Sequence, residues 1–180
     1  EAGIHSGDSS CVYPAYNLPI KAKKIIENYT KDLAIELKTI GLINIQFAMK
    51  NNKVYVIEVN PRASRTIPFI SKIKDIPYAK YAALVSVGKK LSELDFTEKN
   101  TNLIAVKKPV FPFDKFPNQN IFLSPEMKST GEVIGFDKHL GSAYAKAAYG
   151  AGEKIPLSGS VFISVNDSDK ESILKISRDL

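Results

Sequence analysis

Two periods alternate along the chain, and each predicts an element. Between Pro19 and Ile40 the apolar side chains Ala22, Ile25, Ile26, Tyr29, Leu33, Leu37 and Ile40 recur three and four apart. That is the spacing of one buried face of an amphipathic helix, so the pattern predicts a helix over 19–39. Pro19 suits its first turn, where no amide donor is needed, and Gly41 suits its C-terminal cap. The period then falls to two. INIQFAMK and KVYVIEV are β-rich runs joined through Asn51 and Asn52, which predicts a hairpin. PYAKYAALVSVGKKLSEL reads as a second helix, with a proline at its start and Tyr78, Ala82, Val85 and Leu91 on its apolar face.

The flanks follow the same logic. HSGDSSCVYPAY, small and polar with Pro14, reads as a loop beside an edge strand. LIAVKKPVFPF is interrupted by prolines and predicts an edge strand or a strand exit. STGEVIGF predicts a short strand and HLGSAYAKAAYGA a helix of small residues. GAGEKIPLSG then changes the composition and reads as a linker. Beyond it, SVFISV predicts a strand and DSDKESILKISRDL a helix capped by Ser168 or Asp169. The class is α+β, divided into residues 1–152 and a β–α unit over 153–180 that opens a second domain.

Composition narrows the classes. The 180 residues suit one domain or one plus part of another, and 44% hydrophobic residues suffice for a core. The chain has no apolar run of membrane-spanning length, and EAGIHSGDSS lacks the basic-then-apolar order of a signal peptide. With no initiator Met, a piece of a longer chain is expected. Cys11 is alone, which excludes an internal disulfide framework, fits a reducing cytoplasm and reads as a small semi-buried residue. The net charge of +6 is spread over KAKK, SKIK, GKK and VKK, each beside an apolar stretch. That reads as a solvated basic surface whose field suits an anionic small molecule better than a nucleic acid. A basic module that binds nucleic acid or a partner protein is the non-enzymatic alternative.

The chemistry concentrates in IEVNPRASRTIPF, residues 57–69. Glu58 and Asn60 are two apart on one strand and share a face. Both offer oxygen donors for a hard cation such as Mg²⁺ or Mn²⁺. One carboxylate makes a partial site, completed if a ligand's phosphates supply further oxygens. Gln46 adds a third oxygen only in one register. A two-residue turn at Asn51 and Asn52 puts it opposite Ile57, whereas a three-residue loop, Asn51 to Lys53, puts it opposite Glu58. The metal site therefore predicts the longer loop. Arg62 and Arg65 carry forks of donors matched to phosphate or carboxylate, the division of labour that phosphoryl transfer needs. The plain alternative is that both arginines form structural ion pairs with Glu58 and other acids. Neither G-x-x-x-x-G-K-[ST] nor G-x-G-x-x-G occurs.

G-I-H-S-G-D-S, N-I-Q-F-A-x-K, Y-V-I-E-V-N-P-R-A-S-R-T-x-P-F and P-E-M-K-S-T-G-E-V occur in this order. Together they closely resemble the large subunit of carbamoyl-phosphate synthetase, whereas E-x-N-P-R alone indicates only the ATP-grasp superfamily. H-S-G-D and E-V-N-P-R-A-S-R-T-I-P-F resemble its second synthetase half, which phosphorylates carbamate with ATP. The first half typically reads H-T-G-D and E-M-N-P-R and makes carboxyphosphate from bicarbonate. The resemblance implies the C-terminal part of an ATP-grasp domain, an antiparallel sheet with helices. It also implies that the unit from about 153 opens a methylglyoxal-synthase-like allosteric domain.

The resemblance further implies that Gln46, Glu58 and Asn60 hold the metal, Mg²⁺ or Mn²⁺. Gly3, Ile4, His5, Ser6, Gln46 and Glu58 would line the ATP site, and Arg62 and Arg65 would handle the acceptor and the transferred phosphoryl group. Carbamate and ATP are the implied substrates, a small glutamine amidotransferase subunit the implied partner, and arginine and pyrimidine synthesis the implied destination. Another ATP-grasp ligase or carboxylase would share Glu58, Asn60 and Arg62 but not P-E-M-K-S-T-G-E-V. The chain begins inside the ATP-grasp fold, so the isolated piece is expected to be inactive. Its open apolar walls predict self-association into an oligomer.

Overall fold

The computed structural model describes residues 7–97, 102–116 and 121–180. The first helix forms as α1, Ile20–Glu36, with Pro19 as its N-cap. It stops short of the expected Gly41 cap. Lys38 takes φ 49°, its N–H donates to Ile35 O at 3.0 Å, and Thr39 N–H donates to Ala34 O at 3.0 Å. These two bonds close the last turn with a lysine in the left-handed position that glycine usually fills. Leu37 and Ile40, expected on the buried face, lie past the helix and are exposed.

The predicted hairpin is β2, Asn44–Lys50, paired antiparallel with β3, Lys53–Asn60. Its turn has two residues, Asn51 and Asn52, both left-handed at φ 52° and 60°. That is the twist-matched turn in which asparagine is favoured. The expected three-residue loop is therefore absent.

A second antiparallel sheet has the order β1-β4-β5, from β1 (Cys11–Tyr13), β4 (Ile104–Val110) and β5 (Gly131–Asp137). β4 was expected at an edge and is the central strand. β1 reaches only Ala105 to Lys107, so Pro109, paired with Glu132, lies where the sheet is two strands wide. There a residue without an amide donor is tolerated.

Between β3 and β4 in the chain comes a helix the sequence pattern did not announce, α2, Thr66–Lys74. Phe69 and Ile73, one turn apart, bury against Ala105, with Tyr13, Ile70, Ile134 and Phe136 around them. The helix expected over 77–94 ends early, as α3, Tyr78–Ser86. Gly88 at φ 98° breaks it, Leu91–Glu93 forms a single 3-10 turn, and Leu91 is exposed.

α4, Leu140–Gly150, lies on the β4–β5 face with Ala143, Ala147 and Ala148 buried. Small residues permit that close approach. α5, Lys170–Asp179, follows a 3-10 turn and takes Asp169 as its N-cap. The segment SVFISV is extended but pairs with no strand among the described residues, contrary to expectation. Its Phe162, Ile163 and Val165 instead share a groove with Ile173 and Leu174 of α5. No helix among the described residues is long and apolar enough to cross a membrane.

Candidate functional site

A two-residue turn should have set Gln46 opposite Ile57, yet the structure pairs Gln46 with Glu58. The reason is a β-bulge. From the turn the ladder runs regularly, Lys50 opposite Lys53 through to Phe47 opposite Val56, and then shifts by one between Phe47 and Gln46. Ile57 is the extra residue, and beyond it Ile45 faces Val59 and Asn44 faces Asn60. The bulge does what the longer loop was expected to do. Gln46 Nε2 donates to Glu58 Oε2 at 3.0 Å.

The strand then ends for local reasons. Pro61 has no amide to give a ladder, and Arg62 N–H turns back to Asn60 O at 2.8 Å. Ser64 Oγ accepts from Thr66 N–H at 3.2 Å and opens α2, whose N-cap is Arg65. The five residues singled out by the sequence, Gln46, Glu58, Asn60, Arg62 and Arg65, consequently line one cleft of about 540 Å³ between the hairpin and β4. Gly3, Ile4, His5 and Ser6 lie outside the described residues.

The guanidinium partners bear on the two readings of the arginines. Arg62 Nη1 donates to Ala63 O at 3.0 Å, and Arg65 Nη1 donates to Ser129 Oγ at 3.0 Å. Among the described residues neither arginine is ion-paired to Glu58 or to any other acid. Both are anchored by neutral oxygens, which fix direction without cancelling charge. That suits an anionic ligand better than structural pairing does.

Sequence reasoning missed Lys107, Asn44, Ser64 and Thr66, which also line the cleft. Lys107 is 2% exposed, and its Nζ meets Glu132 Oε1 at 3.0 Å. VKK was expected to belong to a solvated basic surface, and this half of it does not. The signal was available: a lysine inside the apolar run IAVKKPV sits on a strand buried on both faces. Its neighbour Lys108 points to the α4 side and pairs with Glu153 Oε1 at 3.0 Å and Tyr144 Oη at 3.2 Å. Those partners raise its pKa against an opposing desolvation, the largest single influence.

The first and last motifs meet across the fold. The Asp8 carboxylate accepts Lys128 N–H at 2.8 Å and Ser129 N–H at 2.9 Å, joining G-D-S to M-K-S-T. For a metal, the donors fit a hard cation in part: one carboxylate on Glu58 and amide oxygens on Gln46 and Asn60. Gln46 turns its amide nitrogen toward Glu58, so a half-turn of that amide brings its oxygen to the same place. No cluster of three or more His, Cys, Asp or Glu suited to a metal occurs among the described residues. Phosphate oxygens from a ligand are what such a set lacks.

Comparison with known proteins gives the family. A family model described as "Carbamoyl-phosphate synthase L chain, ATP binding domain" matches residues 2–94, more than half of the chain. A carbamoyl phosphate synthase large chain of Archaeoglobus fulgidus is 55% identical over 97% of this chain and 16% of its own length. Large chains of the same name from Acidobacterium capsulatum and Pseudomonas syringae pv. tomato are 51% and 49% identical, over 99% and 100% of this chain. The chain thus spans 16% to 17% of the length of the relatives it matches.

Among solved structures, the ADP complex of purK, N5-carboxyaminoimidazole ribonucleotide synthetase, superposes with a TM-score of 0.56. It is 16% identical and covers 79% of this chain and 40% of its own, a likeness of fold alone. That fold is ATP-grasp. With the hairpin, its bulge and the arginine turn all inside the matched region, the chain belongs to the carbamoyl-phosphate synthase L chain ATP-binding domain family.

Proposed function

We propose that the cleft is the phosphate end of an ATP site that phosphorylates carbamate in a carbamoyl-phosphate synthase large chain. One observation carries the reading. A single carboxylate, three amides and two arginines that have no acidic partner among the described residues line one cleft. In the step, a carbamate oxygen attacks the γ-phosphorus of ATP, the bond from that phosphorus to the β–γ bridging oxygen breaks, and ADP leaves. Glu58, Gln46 and Asn60 would hold Mg²⁺ or Mn²⁺, which when bound would neutralise the nucleotide's phosphates. Arg62 and Arg65 hold the acceptor and the phosphoryl group in flight. Positioning and charge neutralisation are most of what such a transfer requires.

Gly3, Ile4, His5 and Ser6 would line the nucleotide site beside Gln46 and Glu58. Carbamate would arrive from the bicarbonate-using half, with ammonia from a small glutamine amidotransferase subunit, in a cytoplasmic enzyme serving arginine and pyrimidine synthesis. Residues 153–180 would open a methylglyoxal-synthase-like allosteric domain. Identity near 50% along the whole chain supports this reading over another ligase of the same fold.

The test uses a complete large chain carrying this segment. Arg62→Ala is expected to lower carbamoyl phosphate synthesis about a hundredfold to a thousandfold, the usual loss when a donor to developing charge is removed. Bicarbonate-dependent ATP hydrolysis, which belongs to the other half, stays near normal. Normal synthesis in this variant would remove Arg62 from the site.

A further inference from the structure

Arg65 is exposed at the start of a helix, where a long side chain samples many rotamers. What holds it comes from the far end of the chain. Ser129 is 5% exposed, and its hydroxyl sits between two partners. Its proton goes to Gly7 O at 3.0 Å, which leaves its lone pairs to accept Arg65 Nη1 at 3.0 Å. A hydroxyl has one proton to give, so the bond to Gly7 fixes the direction of the bond from Arg65. The Ser129 backbone is fixed in turn. Asp8, itself 7% exposed, accepts the amide protons of Lys128 and Ser129 on its two carboxylate oxygens, at 2.8 and 2.9 Å.

We infer that Asp8 and Ser129 are positioning residues for the transfer step: they aim the Arg65 guanidinium into the cleft. The inference rests on the function proposed above, with Arg65 as a grip on the acceptor. Ser129 takes one of the five guanidinium donors, is neutral, and so leaves the charge of Arg65 to the ligand. A carboxylate in its place would cancel that charge. The arrangement also joins Gly7 and Asp8 to Lys128 and Ser129, some 120 residues apart, in one site. Each pair supplies one half of the bracket that holds the arginine.

The measurement is the reverse transfer, carbamoyl phosphate plus MgADP giving carbamate plus MgATP, in a complete large chain. Ser129→Ala is expected to lower kcat about tenfold to a hundredfold, because a small misplacement of a catalytic group is costly. The KM for MgADP stays unchanged, since Ser129 acts on the acceptor end. In an Arg65→Ala background, at the residual rate, Ser129→Ala should cost nothing further. An equal loss in both backgrounds, a raised KM for MgADP, or no loss in Ser129→Ala would each overturn the inference. Full activity in Arg65→Ala alone would instead remove Arg65 as the acceptor's grip, and no ATP formation by the parent would overturn the function on which the inference rests.

Discussion

Lys107→Met is expected to destabilise the protein by about 3–5 kcal/mol, the usual cost of removing one member of a buried ion pair. The Lys107 side chain is 3% exposed and that of Glu132 is 15% exposed, so the carboxylate left behind has little access to water. The cost lies mainly in the orphaned charge and not in the lost attraction. Lys107→Met combined with Glu132→Leu should therefore recover most of the stability. Urea denaturation of the single and double variants tests this. A single variant as stable as the parent would show that the pair is solvated in practice.

Gly135→Ala is expected to cost about 3 kcal/mol, the upper part of the range for overpacking a core. A Cβ at Gly135 would lie 2.1 Å from Ala143 O and 2.6 Å from Ala147 N. Both are backbone atoms of α4, so no side chain can swing away and the helix itself must lift. Lifting it exposes Ala143, Ala147 and Ala148, which are buried at 1% exposure or less. Gly141→Ala is the control. Its Cβ would meet nothing within 4 Å, and alanine favours the helix, so that variant should be neutral or slightly more stable. Similar midpoints for the two variants would contradict the close packing of α4 on β5.

The fold and the site were legible to different depths. The long helical period around Ala22 and Ile25, the alternation of the hairpin strands and the small-residue run of α4 all announced their elements. What failed was decided by contacts distant in sequence. α2 was hidden because TIPFISKIK follows directly on the arginine turn, and its helical identity comes from burying Phe69 and Ile73 against Ala105. Pro109 argued for an edge strand, but β1 is too short to pair beside it. SVFISV has strand composition, yet a strand needs a partner backbone.

At the site, side-chain chemistry was readable and register was not. Gln46 does face Glu58, but through the bulge at Ile57 and not through the expected three-residue loop, a route that turn length does not encode. Lys107 escaped because a lysine in a basic cluster reads as surface until both faces of its strand are known to be covered. Ser129 and Asp8 escaped because an aspartate that accepts a distant serine's amide, and a serine that donates to Gly7 O, carry no spacing signal of their own.

The transfer proposed for this cleft, between carbamate and a nucleotide, runs in reverse to make ATP. The most direct measurement is ATP formation from carbamoyl phosphate and MgADP by a complete large chain carrying this segment, with Glu58 intact and as Glu58→Gln. Glu58→Gln keeps the shape of the side chain and removes its charge. ATP formation by the parent is expected, with a loss of about a hundredfold or more in the variant and the bicarbonate-dependent hydrolysis of the other half retained. Equal ATP formation by both would place the transfer outside this cleft.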